Sequence, residues 1–224
     1  MNIKMIVTDL DGTLLRNDKT VSERNKQALL RCRNLGLKVA FATARSYRTK
    51  IVPQDWFDGY VCCNGAYAYA GTTLIYQRTF SNETTRFIID ACNQQGIIAE
   101  PRWDEEVCLP DMKPGDAEYI RLILPTDLYL VITEKNYGQI MHKEATKSKA
   151  IEALARHWEV DKINIAAFGD DLNDIDILSW AGIGIVMGNA VDELVINADE
   201  VCLSNEDDGV AMWIKENVFS AFKI

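Results

Sequence analysis

Two short acidic segments carry residue types suited to metal-assisted chemistry. Asp9 and Asp11 stand two residues apart in Asp-Leu-Asp-Gly-Thr, directly after an apolar run. Two carboxylates at this spacing can hold a hard cation and still present an oxygen to a substrate. The second segment, Gly-Asp-Asp-Leu-Asn-Asp at 169–174, crowds three aspartates together, which is electrostatically costly without a cation. Asp170 and Asp174 would share one face if a helix begins there. Taken singly, an Asp-Gly turn and an acidic helix start are the structural alternatives.

Two further segments can bind an oxyanion. Thr43, Ala44 and Arg45 follow a predicted strand with a hydroxyl, backbone N–H groups and a guanidinium, which together can form an anion-binding nest. The competing interpretation is an N-cap threonine beside a solvated arginine. Asn64 and Gly65 follow the next strand, where a plain turn is the alternative. Neither segment alone decides between binding and structure.

Short apolar runs alternate with helical periodicity along most of the chain, which predicts βαβ units and a parallel sheet. The predicted strands are 3–7, 37–42, 60–63, 163–168, 183–186 and 201–203. The predicted helices are 21–35, 147–157, 175–181, 191–197 and 209–222. Ser22 is the expected N-cap of the first helix and Gly36 its stop.

The middle of the chain has a different pattern. Four of the five prolines fall between 79 and 145, with a predicted helix at 82–95 and strands at 118–124 and 128–133. Partial period-two alternation in those strands indicates one wet face, hence an antiparallel sheet. We therefore expect a small α+β domain, 79–145, inserted in an α/β core formed by 1–78 and 146–224.

The candidate residues share one position in this arrangement. Asp9, Thr43, Asn64 and Asp170 each come just past the carboxyl end of a different predicted parallel strand, the rim where open α/β sheets bind ligands. Unrelated surface residues would not be expected to place two acids, a hydroxyl and an amide after four different strands at the same edge of the sheet. Lys147, at the start of a helix, is a further candidate, although a solvated charged face is the simpler interpretation for it alone.

These segments, in this order, resemble the haloacid dehalogenase-like phosphohydrolases, specifically the Cof-type members with a C2B cap. The matching motifs are 9–13, 43–45, Lys147 and 169–174, and the likeness covers 1–78 and 146–224. It implies a Rossmann-like, doubly wound parallel sheet with a cap inserted after the third strand.

The resemblance also implies roles. Asp9 would be the nucleophile that accepts the phosphoryl group, and Asp11 the general acid and base. Mg²⁺ would be held by Asp9, the Asp11 carbonyl and Asp170, with Asp174 close by. The implied phosphate-binding residues are Thr43, Ala44, Arg45, Lys147 and Asn173, and possible substrate contacts are Asn64 and Gly65.

Three departures from the family pattern bear on these roles. Ala44 and Ser148 stand where glycine is usual, and the second change leaves open whether Lys147 or Lys149 binds the phosphate. The cap, at 79–145, is shorter than in most relatives. Cap-region candidates for lining a sugar pocket are Arg78, Arg86, Arg102, Trp103, Arg121 and Tyr129.

The net charge of the chain limits the kinds of ligand that we expect it to bind. Asp plus Glu number 33 against 24 Lys plus Arg, a net charge of −9, which argues against a nucleic-acid backbone as ligand. An anionic substrate therefore requires a local cation.

No apolar run approaches the ~18–20 residues of a membrane span, and the start does not read as a signal peptide. No zinc site is predicted, because the six cysteines lack C-x-x-C spacing and the two histidines are isolated. The cysteines are expected to be reduced thiols, which fits a cytoplasmic protein.

The leading hypothesis is a cytoplasmic, Mg²⁺-dependent phosphatase for a small phosphomonoester, with a sugar phosphate as the expected substrate, acting as a monomer or homodimer. A phosphomutase of the phosphomannomutase type is the alternative within enzymes. A non-catalytic metabolite-binding relative is the alternative outside them, although no nucleophile or metal ligand is missing. A dinucleotide-binding dehydrogenase is disfavoured because no G-x-G-x-x-G follows the first strand.

Overall fold

The chain forms two compact units in a computed structural model that describes residues 2–46, 50–102, 106–132, 136–196 and 198–222. The first unit comprises Met1–Tyr76 and Thr146–Ile224, and the second comprises Gln77–Ala145. The strands are β1 Met5–Thr8, β2 Lys38–Ala42, β3 Gly59–Cys62, β4 Tyr67–Ala70, β5 Thr73–Gln77, β6 Glu100–Arg102, β7 Glu106–Leu109, β8 Leu128–Ile132, β9 Gly138–His142, β10 Ile165–Gly169, β11 Ile183–Val186 and β12 Glu200–Val201. The helices are α1 Glu23–Asn34, α2 Asn82–Gln94, α3 Asp116–Ile123, α4 Lys147–His157, α5 Ile175–Trp180, α6 Asp192–Val195 and α7 Gly209–Asn217.

The first unit is built on an eight-stranded sheet in the order β12-β11-β10-β1-β2-β3-β4-β5. The strands from β12 to β3 are mutually parallel, and β4 turns back antiparallel to β3. β1 lies at the centre, where Met5 pairs with Ile165 on one side and Lys38 on the other. The predicted α/β class with a parallel core sheet is confirmed. The strands β4 and β5, of four and five residues, lie outside the predicted elements.

Helices cover both faces of this sheet. On one face, α1 and α7 pack against alternate strand residues that include Ile6, Phe41 and Phe168. On the other face, α4 and α5 pack against strand residues that include Met5, Val7 and Ala167. A strand covered on both faces has no wet side, which is why the first three residues of β1, Met5, Ile6 and Val7, are all apolar. Each fully buried Ile or Phe side chain contributes roughly 1.5–3 kcal/mol.

Capping residues fix where two of these helices begin. The Ser22 hydroxyl accepts a hydrogen bond from the Asn25 N–H at the start of α1, as predicted. Thr146 does the same for the Lys149 N–H, so α4 begins at Lys147. Such a cap contributes about 1 kcal/mol. Within the described ranges, every helix falls short of the length and apolar character that a membrane-spanning segment needs.

The second unit pairs helices α2 and α3 with a four-stranded antiparallel sheet in the order β6-β7-β9-β8. The expected small antiparallel sheet is confirmed, but the predicted strand at 118–124 is wrong, since Asp116–Ile123 forms α3. Helical spacing explains the difference: Ile120 is fully buried, whereas Leu122, two residues on, is 84% exposed. A strand would have placed both on one face. The cap candidate Trp103 lies outside the described residues.

Glu106 on β7 is an acidic residue in the interior of the second unit. Its side chain is buried, and its Oε2 accepts a hydrogen bond of 3.0 Å from Gln139 Nε2. Its Oε1 has no hydrogen-bond partner among the described residues. Burial raises the pKa of Glu106 to about 7, although the Gln139 hydrogen bond opposes the shift. The folded unit therefore favours the protonated acid.

The stability of the protein should therefore fall as the pH rises through this pKa. The folded pKa of Glu106 lies near 7 and the unfolded value at 4.5, so its neutral form contributes fully below pH 4.5 and the contribution is lost by about pH 7–8. The difference in unfolding free energy between Glu106→Gln and wild type should shift in favour of the variant by about 3 kcal/mol between pH 4.5 and 8. Urea melts at several pH values measure it. Glu100→Gln, at an exposed position, controls for the substitution, and a pH-independent difference at Glu106 would contradict the account.

Candidate active site

The loop after β1 brings Asp9 to the carboxyl edge of the sheet. Asp9 is 7% exposed, and its N–H donates to the Phe168 carbonyl on β10 at 3.0 Å. The loop then turns at Gly12, whose φ is +82° and where a Cβ would lie 2.0 Å from Asp170 Oδ2. Thr13 Oγ1 donates to Asp170 Oδ1 at 2.7 Å. The Gly-Thr pair therefore allows the two acidic segments to approach and locks them together.

The loop after β10 fixes the second pair of carboxylates. Asp174 is 1% exposed, and its Oδ2 accepts the N–H groups of Asp170 and Asp171 at 3.2 and 3.3 Å. A Cβ at Gly169 would lie 2.5 Å from Asp174 Cβ, so glycine is required for the close approach. Asp174 is thus a rigid acid whose remaining oxygen faces the site.

Lys147 lies between the two acidic loops. Its side chain is 1% exposed, and its Nζ lies 2.8 Å from Asp9 Oδ1 and 2.5 Å from Asp174 Oδ1. Burial lowers the pKa of Lys147, but the charges of Asp174 and Asp9 outweigh burial and the pKa lies above its usual range. Of the two lysines that the sequence left open, Lys147 is the one whose ammonium meets these carboxylates.

Three carboxylates converge here against this one buried lysine. Ligand oxygens of Asp9, Asp170 and Asp174 lie within 4.8 Å of one another. Burial raises the pKa of Asp9, with Lys147 opposing the shift, and burial raises the pKa of Asp170 to about 6. The charges of neighbouring aspartates add to both shifts: Asp174 and Asp170 act on Asp9, and Asp174 and Asp171 act on Asp170. An all-oxygen donor set with surplus negative charge fits a hard divalent cation such as Mg²⁺.

Asp11 is held by two cationic residues at the more exposed side of the loop. Arg45 Nε and Nη2 donate to its two carboxylate oxygens at 2.6 and 2.8 Å, and Lys19 Nζ donates at 2.9 Å. The Arg45 hydrogen bonds hold the pKa of Asp11 below its usual value. Arg45, which the sequence suggested as a phosphate ligand, is bonded here to Asp11. The contact of Lys19 with Asp11 was not predicted, because the residues around Lys19 form no recognisable motif.

The remaining candidates lie at neighbouring strand ends. Thr43 is buried after β2, and its Oγ1 accepts the Arg45 N–H at 3.2 Å. Asn64 Oδ1, after β3, accepts a hydrogen bond of 3.2 Å from Asn173 Nδ2 in the loop after β10. Ala44 lies between Thr43 and Arg45, half-buried. The Thr43–Arg45 bond lies within the loop after β2, and the Asn64–Asn173 bond joins the loop after β3 to the loop after β10.

A residue outside the predicted set braces the first loop. Asn189 Nδ2 donates to the Gly12 carbonyl at 2.8 Å, and its Oδ1 accepts the Asn205 N–H at 2.9 Å. Asn189 follows β11 in the stretch Met-Gly-Asn-Ala, and the sequence by itself does not indicate its hydrogen-bond partners. Asn189 thereby ties the turn at Gly12 to the chain near Asn205.

Comparison with known proteins defines the family. A family model described as haloacid dehalogenase-like hydrolase matches residues 6–105 and 113–214. The chain therefore belongs to the haloacid dehalogenase-like hydrolases, which confirms the resemblance seen in its motifs.

Individual relatives agree in extent and fold. A 5-amino-6-(5-phospho-D-ribitylamino)uracil phosphatase of Bacillus subtilis is 25% identical over 95% of this chain and 96% of its own. A pyridoxal phosphate phosphatase of Escherichia coli is 23% identical over 96% and 98%. Among solved structures, BT1666 from Bacteroides thetaiotaomicron shares the fold with a TM-score of 0.82 at 21% identity over 96% and 94%. The subclass IIB sugar phosphatase BT4131 has a TM-score of 0.79 at 22% identity over 95% and 98%.

Replacing Lys147 should destabilise the metal-free protein. In Lys147→Met the charges of Asp9 and Asp174 lose their buried partner, and breaking a buried ion pair in this way costs roughly 3–5 kcal/mol. Urea unfolding in the presence of a chelator measures the change. Lys149→Met, on the same helical turn, is the matched control and should change the unfolding free energy by less than about 1 kcal/mol. Equal effects of the two substitutions would contradict the placement of Lys147.

Proposed function

We propose that the protein is a Mg²⁺-dependent phosphatase that hydrolyses a small phosphomonoester through an aspartyl-phosphate on Asp9. The observation that carries this proposal is the buried Asp9 carboxylate, 2.8 Å from Lys147 Nζ and within the cluster of carboxylate oxygens that includes Asp170 and Asp174. A nucleophile, a fixed cation and a place for a divalent metal thus lie together. Membership of the haloacid dehalogenase-like hydrolases supports the same chemistry.

The residues that would hold the metal are Asp9, Asp170 and Asp174, with the Asp11 carbonyl added by family resemblance. When bound, Mg²⁺ supplies positive charge that offsets the negative charge of the phosphoryl group in the transition state. The protein's contribution is rigidity. Thr13 holds Asp170 in the space that Gly12 leaves open, and backbone N–H groups hold Asp174, so the ligands need little reorganisation.

In the first half-reaction, an Asp9 carboxylate oxygen attacks phosphorus, and the bond from phosphorus to the ester oxygen breaks. Lys147, already 2.8 Å from Asp9, contributes a cation to the charge that develops on the phosphoryl oxygens. The leaving alkoxide takes a proton from Asp11. Because hydrogen bonds from Arg45 lower the pKa of Asp11, protonation of Asp11 requires this pair to loosen.

In the second half-reaction, water attacks phosphorus of the aspartyl-phosphate, and the bond to the Asp9 oxygen breaks. Asp11, ionised by the first step and again bonded to Arg45 as seen here, accepts a proton from that water, and this protonation loosens the pair. Inorganic phosphate leaves and the Asp9 carboxylate is restored. The Arg45–Asp11 pair thus favours the base form of Asp11, which this step needs.

The phosphate-binding groups are proposed from their place around Asp9. Lys147 provides the buried cation. Thr43, the Ala44 N–H and Asn173 lie at neighbouring loops of the same sheet edge, where hydroxyl, amide and backbone donors suit phosphoryl oxygens. Arg45 would join them only when released from Asp11.

We propose a sugar or polyol phosphate as the substrate class. Among the relatives, one is named for a ribityl phosphate, one for pyridoxal phosphate and one as a sugar phosphatase. A phosphate-release screen across sugar phosphates, pyridoxal phosphate, flavin mononucleotide and nucleotides tests the class. Release of free phosphate supports hydrolysis, whereas an isomeric phosphate without release would identify a mutase.

Removal of the nucleophile should abolish turnover without unfolding the protein. Asp9→Asn should lower kcat by at least ~10³-fold, equivalent to about 4 kcal/mol of barrier, because an amide cannot form the acyl phosphate. Phosphate release from the best substrate of the screen measures it. The same change at the exposed Asp55 is the control and should leave kcat within about twofold. Near-wild-type release by Asp9→Asn would rule out Asp9 as the nucleophile.

Removal of divalent cations should stop the reaction reversibly. Dialysis against a chelator should lower phosphate release by at least ~10²-fold, since the carboxylate cluster would then repel the phosphate. Added Mg²⁺ should restore the rate, and Asp170→Asn should raise the Mg²⁺ concentration needed for half-maximal activity. Full activity in excess chelator would refute the metal requirement.

A further inference from the structure

The turn after β3 has a backbone conformation that L-residues avoid. Cys63, Asn64 and Gly65 have successive φ values of 51°, 50° and 104°, all in the left-handed region. Asn and Gly visit this region readily, but a cysteine has no such tolerance. Such a run persists only where surrounding contacts hold it in place, so its contacts indicate what it is for.

One side of this turn lies against the start of α4. A Cβ at Gly65 would lie 2.2 Å from both the carbonyl carbon and the oxygen of Thr146, and 2.7 Å from its nitrogen. These are backbone atoms, which cannot turn aside as the end of a flexible side chain can. Thr146 is the N-cap of α4, and the next residue is Lys147. Gly65 therefore lies directly against the backbone that carries the site's buried lysine.

The other side of the turn is bonded to two neighbouring loops. The Cys63 N–H donates to the Arg45 carbonyl at 2.8 Å, and the Asn64 N–H donates to the Thr43 carbonyl at 3.1 Å. The Asn64 side chain accepts from Asn173 at 3.2 Å. The turn is thus fixed by the strand ends of the sheet and can transmit their position to α4.

We propose that the Cys63–Asn64–Gly65 turn is a positioning element that sets the place of Lys147 against Asp9. Lys147 Nζ contacts Asp9 and Asp174 at 2.8 and 2.5 Å, which leaves little slack for movement. The Ser148 N–H is also held by Asp176 Oδ2 at 2.8 Å, so the first turn of α4 cannot yield freely at its other side. A wider residue at position 65 would displace Thr146 and draw Lys147 out of its ion pairs. The effect of this displacement on turnover rests on the proposed function, whereas its effect on the Lys147 ion pairs does not.

A double-mutant cycle on thermal stability tests the coupling without any assay of activity. In metal-free protein, Gly65→Ala should lower Tm by ~6 °C or more, partly through loss of the Lys147 ion pairs. In the Lys147→Met background, where no ion pairs remain to be lost, the same substitution should lower Tm by half as much or less. A merely local clash would give equal shifts in both backgrounds, and equal shifts would overturn the proposal. Gly36→Ala is the matched control, because Gly36 also has a positive φ, +86°, but no atom of the described residues lies within 4 Å of the added Cβ.

Turnover provides the second arm, on the full-length protein with Mg²⁺. Gly65→Ala, at a temperature where melting curves show it folded, should lower kcat at least ~10-fold, while Gly36→Ala should stay within about twofold. Unchanged kcat in Gly65→Ala would also overturn the proposal. If wild type released no phosphate but the stability cycle showed coupling, the proposed function would fail and the positioning role would stand.

Discussion

A single buried lysine between two aspartates is the interaction on which the rest of the site depends. Lys147 joins Asp9 after β1 to Asp174 after β10, so it links three segments that are distant in sequence. One ammonium cannot balance three carboxylates in a buried place, and the resulting surplus of negative charge is what suits the site to a divalent cation. The same arrangement that costs folding free energy without metal therefore suits the binding of metal and phosphate.

The sheet supplies this geometry because parallel strands deliver their ends to one edge. Small residues then make the close approaches possible: Gly12 admits Asp170, Gly169 admits Asp174, and Gly65 admits the start of α4. Hydrogen bonds from Thr13 and from backbone N–H groups fix the acids once they are near. A charged cluster of this kind is rigid because its supports are backbone and packed side chains.

The sequence predicted much of this and missed parts for physical reasons. The sequence predicted that the Asp, Thr and Asn residues after the strands lie at one edge of the sheet. Alternating apolar runs and helical patterns indicate parallel strands, and parallel strands end at the same edge. The strand proposed at 118–124 is wrong because so short a segment, with Ile120 and Leu122 two residues apart, fits a strand period as well as a helical one until burial distinguishes the two residues. The bonds of Asp11 to Arg45 and Lys19 depend on side-chain approach across loops, which local patterns do not encode. The choice of Lys147 over Lys149 likewise needed the direction of the first turn of α4.

The most direct test of the account is to look for the phosphoryl group on the nucleophile itself. Enzyme quenched in acid during turnover, treated with borohydride and mapped by mass spectrometry would carry homoserine in place of aspartate wherever an acyl phosphate had formed. We expect this change at Asp9, dependent on both substrate and Mg²⁺. Modification at another residue, or continued phosphate release with Asp9 unmodified under every quench condition, would contradict it.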